Sequence, residues 1–284
     1  MTRPLYWSVR RELWENRSIY IAPVAVAAVV FFGFMISTIG MPARRRAVLL
    51  LDPARQRAAI GMPYDVVATF LIVTALIVGV FYCIDALYGE RRDRSILFWK
   101  SLPVSDRTTV LSKASVPLAV LPLVIFVIIV VTQFVMLLWS SLVLLPSGLA
   151  GTTWTRFNLI EQSLITLYSL IAIALWHAPI YGWLLLVSGW ARRATFLWAV
   201  LPFFAISVLE KIAFNSTHFA LMLKYRFMGF AAEAFVMDAH GGVSSLAQLT
   251  PGRFLSTPGL WIGLILAAAF LAAVVRMRRY REPI

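Results

Sequence analysis

His177, in the stretch ALWHAPIYGW, comes nearest to a chemically active residue in this chain, because its imidazole stands near the middle of an apolar run two residues before Pro179. An ionisable group inside such a run is the default place to look for a substrate or proton path. The same setting also allows a purely structural bond: Pro179 leaves the carbonyl of Leu175 without its helical donor, and the imidazole can bond to a nearby backbone or side-chain group. Both roles stay open on sequence. The other two histidines, His218 and His240, form no H-E-x-x-H or H-x-x-E-H pattern with it or with any acid. Cys83 is the single cysteine, so neither a disulfide nor a cysteine-rich metal site is available. Asp85 and Glu161 fall near opposite ends of apolar runs, where snorkelling or ion pairing accounts for them, and Gln133 fits interhelical hydrogen bonding. There is no G-x-x-x-x-G-K-[ST] and no Gly-Lys pair to cradle a nucleotide phosphate. The expectation is a chain that is not an enzyme, with no catalytic, cofactor-binding or metal-binding residue of its own.

A second stretch is chemically dense in another way. GERRDRSILFWKSLPVSD, Gly89 to Asp106, alternates Glu90, Arg91, Arg92, Asp93 and Arg94, and then exposes Ile96, Leu97, Trp99 and Leu102 outside any apolar run. Bulky apolar residues left outside a bilayer usually have a partner. Pro103 stops the short amphipathic helix that this pattern predicts, and Ser105 or Asp106 can cap a following helix that runs through Lys113 into the next apolar run. An ordinary basic loop folded against headgroups fits the spacing equally well.

These residues are positioned by six apolar runs, Ile19–Ile39, Val66–Leu87, Val116–Leu145, Ser163–Val187, Phe196–Leu209 and Leu260–Val275. The fifth is short and can borrow Ala213 and Phe214. With 61% hydrophobic and 14% charged residues the chain is too apolar for a soluble domain of its size. Runs of about 20 residues match a hydrocarbon core of roughly 30 Å, where only a helix satisfies the backbone. The fold class expected is therefore an all-α polytopic membrane protein, one transmembrane domain over residues 1–284. Basic residues before the first run invite a signal-peptide reading, but that run is too long and lacks a cleavage pattern, so a retained span is expected. The larger share of the 26 Lys and Arg falls on the side of both termini, which places them in the cytoplasm. The basic loop Ala43–Arg57 runs against that rule, either as a solvated loop or as a collar for anionic headgroups or an anionic substrate. A net charge of +13 is explained by residues flanking spans and calls for no nucleic acid. Ahead of the first run, residues 1–17 put Leu5, Val9 and Leu13 on one stripe with Trp7 and Trp14 seven apart, the pattern of an interfacial helix on membrane lipid. Between the fifth and sixth runs, residues 211–257 contain FALMLKYRFMGFAAEAFVM, Phe219–Met237, with Lys224 and Glu233 interrupting and Gly241-Gly242 closing. This predicts an interfacial or re-entrant helix on the outer face. Pro117 and Pro122 predict a bend in the third run.

LYGERRDRSILFWKSLPVSDRTTVLSK resembles the loop between the second and third spans of permeases in the ATP-binding cassette type-2 exporter superfamily. Glu90, Ser101, Leu102, Pro103, Val104, Ser105 and Lys113 carry the likeness, and RRELWENR resembles that family's connecting helix. As motif the likeness covers about 25 residues, and as topology most of the chain. It implies two six-span subunits, here a homodimer, in a bacterial cytoplasmic (inner) membrane. Separate ATPase subunits would carry ATP and Mg and grip residues 89–106 as a cytoplasmic coupling helix. For that docking the expected anchors are Leu97, Trp99 and Leu102, with Pro103 and Ser105 shaping the helix end and Glu90, Arg91, Arg92 and Arg94 forming a polar rim. The family also implies that short helices between spans five and six cap the translocation path. The alternatives are an ion-coupled secondary transporter, which would favour internal repeats and midplane carboxylates that are absent here, and a membrane scaffold that moves nothing.

Overall fold

The computed structural model describes residues 4–93, 95, 104–237, 242–243 and 245–280. Among these the chain is helical throughout apart from turns and an isolated antiparallel bridge, Phe235 to Leu249. Six helices are long and apolar enough to cross a membrane. They are α2 (Ser18–Ser37), α4 (Pro53–Asp85), α7 (Leu121–Leu144) with its lead-in α6 (Asp106–Ser115), α9 (Leu159–Trp190), α10 (Thr195–Phe214) and α13 (Pro258–Tyr280). Shorter helices join them: α1 (Pro4–Glu15), α3 (Met41–Val48), α5 (Tyr88–Arg92), α8 (Gly151–Arg156), α11 (His218–Ala234) and α12 (Pro251–Ser256).

Helix ends follow local chemistry more closely than hydropathy. The second span starts at Pro53 rather than near Val66, because the Asp52 carboxylate accepts the Arg55 N–H at 3.0 Å and Pro53 fits the first turn. Arg55, Arg57, Pro63 and Asp65 dilute the hydropathy there without breaking the helix. Ser105 caps α6 by accepting the Thr108 N–H at 3.1 Å. At Pro117 the third span passes through a π-helical turn, Val116–Val120, where the sequence predicts a bend. The fourth span is capped by Asn158, which accepts from Ile160 and Glu161. The fifth span does take in Ala213 and Phe214.

The fourth span is the axis of the bundle, with 72% of its most apolar window enclosed, whereas the fifth is peripheral at 6%. Gly182 lets the last span come close: a Cβ there would stand 3.3 Å from Ala267 Cα. Leu71, Ile125, Ile129 and Leu185 fill the centre. Tyr64 stacks on Phe157 at 4.2 Å and shares a hydrogen bond of 3.1 Å with Ser140, while Gln133 donates to the Tyr64 carbonyl at 3.1 Å, tying the second and third spans together.

The inward face of α1 runs through Ser8 and Glu12, with Leu13 packed part-buried against the core. Leu5, Trp7 and Trp14 are exposed, with Arg10 lying over both tryptophan rings at 5.3 and 4.6 Å. Helix α11 ends at Ala234, before the expected close at Gly241-Gly242, because the chain then extends to pair Val236 N–H with Gln248 O and Thr250 N–H with Ala234 O.

Candidate functional site

The end of the bundle that carries both chain termini holds a buried cluster of charge. Glu12 of α1 is fully buried, and its carboxylate meets Lys113 Nζ at 2.9 Å, Arg11 at 2.8 Å and the Tyr82 hydroxyl at 2.8 Å. Glu90 of α5 meets the same Lys113 at 3.1 Å, Arg11 at 3.2 Å and Arg278 at 2.7 Å. Arg278, near the end of the last span, also reaches Asp106 at 3.1 Å. Arg11, Lys113 and Arg278 thus face Glu12, Glu90 and Asp106, with the more exposed Glu15 at the edge, so that the buried charges are paired. Burial works against the Arg11 charge, but Glu12, Glu15 and Glu90 outweigh it and hold the guanidinium pKa above its usual value. Burial, reinforced by Glu12 and Glu90, pushes the Glu15 carboxyl up even though Arg11 lies 3.6 Å away.

The cluster joins α1, both ends of the 90–113 segment and the last span. Glu90 precedes that segment and Lys113 follows it, so their direct contact pins its two ends together. The break between α4 and α5 is held as well, since the backbone N–H groups of Leu87 and Tyr88 both donate to Ser188 Oγ, at 3.0 and 2.9 Å.

Of the residues assigned to ATPase docking, Glu90 and Arg91 do not lie on a surface rim. Glu90 is turned inward into the cluster, where Lys113 and Arg278 hold it. Arg91 is buried and donates to the carbonyls of Gly189 and Ala191 at 2.7 and 3.2 Å, satisfying the last turn of the fourth span. Arg92 is exposed, paired with Asp93 at 2.9 Å and lying over Tyr88. Ser105 is an exposed cap residue. Arg94, Leu97, Trp99, Leu102 and Pro103 lie outside the described residues.

His177 is buried, with both ring nitrogens against backbone carbonyls: Nδ1 lies 2.9 Å from Ile173 O and Nε2 3.2 Å from Phe227 O of α11. Its neighbour Trp176 donates to Arg226 O at 2.9 Å, and Tyr168 donates to Ala234 O at 3.2 Å. The helix α11 is therefore bonded along the fourth span rather than floating free of the bundle. In the basic loop, Arg45 is buried and donates to Thr153 at 3.2 Å.

Glu12, Arg278, Asp106 and Tyr82 were missed from the sequence as members of one site. The signal that could have found Glu12 is its place in α1: a carboxylate four residues after Ser8, on the face opposite Arg10 and the two tryptophans. Among the described residues there is no group of three or more His, Cys, Asp and Glu side chains arranged to hold a metal ion. Comparison with protein-family models, with curated proteins and with solved structures gives no match for this chain.

Proposed function

We propose that the chain is the membrane-spanning permease subunit of an ATP-binding cassette exporter, working with a second permease subunit and driven by ATP hydrolysis on separate ATPase subunits. One observation carries the reading: the 90–113 segment is pinned at its base by Glu90 and Lys113, and the same cluster grips α1 and the last span. A force that reaches Glu90 and Lys113 is passed by their ion pairs to α1 and to the last span. Such a handle suits a partner that pushes from outside the bilayer. The six spans, the common end for both termini and the likeness of SLPVS to the type-2 exporter loop support the same reading.

In this scheme Leu97, Trp99 and Leu102 enter a groove on the ATPase, and Arg92 with Arg94 stands at its edge, while Glu90 and Arg91 act within the permease to hold the handle's root. The outer helix α11 closes the path at the far end, bound to the fourth span near His177. Co-purification tests the scheme. Leu102→Asp should insert at normal levels yet lose its ATPase, because a central apolar anchor contributes about 2 kcal/mol or more and a carboxylate there is buried without a partner. Arg92→Ala should show a weaker defect that grows with salt. Full ATPase retention and full transport in Leu102→Asp would reduce the segment to an ordinary basic loop.

A further inference from the structure

Arg226 is set where a cation is expensive. Its helix, α11, bonds to Trp176 and His177, which lie about halfway along the fourth span. The guanidinium stands 4.9 Å from the centroid of the fully buried Trp176 ring, and Nη1 donates to Gly259 O at 2.9 Å. Nε and Nη2 are buried with no hydrogen-bond partner. No described carboxylate forms an ion pair with it: Glu233 of the same helix is taken up by Tyr225 at 3.2 Å, Arg253 at 3.4 Å and Thr257 at 3.4 Å. Arg11, Lys113 and Arg278 at the other end of the bundle each have a carboxylate within 3.2 Å. The seat is shaped for the guanidinium as well, since a Cβ on Gly263 would overlap it.

An uncompensated, half-satisfied arginine in an apolar bundle is costly unless an anion completes it. Its unbonded edge is enclosed, with Nη2 against Gly263, and carries two N–H directions, the fork that carboxylate and phosphate oxygens accept once α11 and the last span part to admit them. Exposed Met222, Phe227 and Met228 on α11, with Trp261 and Ile262 on the last span, offer apolar surface on the two helices that flank it. We propose that Arg226, stacked on Trp176, is the recognition point for the oxyanion head of an amphiphilic ligand, a carboxylate or phosphate carrying an apolar tail, admitted between α11 and the start of the last span. The proposal rests on the permease reading only in treating that ligand as cargo; binding is independent of any ATPase.

The test uses the purified chain in dodecyl maltoside with no ATPase present, so that its failure and a failure of the permease reading stay separate. Dodecyl phosphate is the probe, dodecyltrimethylammonium the control, and the thermal unfolding midpoint the readout. A saturable rise of several degrees with dodecyl phosphate and none with the cation is expected. Arg226→Gln and Gly263→Leu should weaken the apparent affinity at least tenfold, and Arg226→Lys should lose less. Because Arg226→Gln removes a buried charge without a counter-ion, its ligand-free midpoint should equal or exceed the wild-type value. A lower midpoint would make Arg226 a strut onto Gly259 and overturn the proposal, as would an equal dodecyl phosphate response in Arg226→Gln. Inorganic phosphate tests for a free anion: the same Arg226-dependent shift without a tail would overturn the amphiphile.

Discussion

Replacing Lys113 with methionine keeps the length of the side chain and removes the charge shared by Glu12 and Glu90. In the folded protein both carboxylates then remain buried within reach of one another, since each lies within 3.1 Å of the lost ammonium. Glu12 keeps Arg11 and Tyr82, and Glu90 keeps Arg278 and Arg11, so the loss is partial. One pair at that separation is worth roughly 5 kcal/mol at an effective dielectric of about 20, and stripping one partner from a buried pair typically costs about 3–5 kcal/mol. With the remaining cations in place, a destabilisation near the lower figure, about 3 kcal/mol, is expected for Lys113→Met. Equilibrium unfolding in mixed micelles measures it. Adding Glu12→Gln restores the balance of charge and should recover at least half of the loss, so that the coupling in a double-mutant cycle is about 1.5 kcal/mol plus whatever Glu12→Gln costs alone. Acid gives an independent check. Lowering the pH from 8 towards 5.5 favours neutralising one of two repelling carboxylates, so Lys113→Met should regain more stability on that path than the wild type, whose own raised carboxyl Glu15 is common to both. A loss below about 1 kcal/mol, or strict additivity with Glu12→Gln, would refute the view that these charges hold the handle together.

Two further expectations are readily checked. His177→Ala should lower stability by about 1–2 kcal/mol, the scale of a lost buried hydrogen bond, with transport kept in the folded fraction, and His177→Gln should be milder; a stable His177→Ala protein that transports nothing would assign the imidazole to the path. For sidedness, in a Cys83→Ala background the exposed Ala43→Cys should react with an impermeant thiol reagent on intact cells and the exposed Arg193→Cys only after permeabilisation; the reverse pattern would invert the protein in its membrane.

The spans were legible because hydrocarbon leaves the backbone one solution, and the caps at Ser105 and Asp52 show how far local chemistry refines it. The charge cluster was not, because Glu12 and Arg278 are each separated by whole spans from Glu90 and Lys113, and no periodicity relates them. Glu90 and Arg91 read as solvated by their alternating sign. The end of the fourth span draws Arg91 inward, and Lys113 with Arg278 draws in Glu90. Arg226 escaped for a similar reason: on α11 it looks like one more interruption of an apolar face, and its lack of a counter-ion is visible only once the fourth and sixth spans stand beside it.

The wide turn at Val116–Val120 fixes an azimuth. A π-turn accommodates an extra residue without breaking the helix, and each residue of a helix carries roughly 100° of rotation. Everything before Val116 is therefore clocked against everything after it, and Lys113 meets Glu12 and Glu90 while Ile125 and Ile129 keep facing the core on the same continuous rod. Excising a single residue such as Ala119 would let the turn relax to a regular helix and swing Lys113 by about a quarter of a revolution or more, out of register with both carboxylates, although no charged group had been touched.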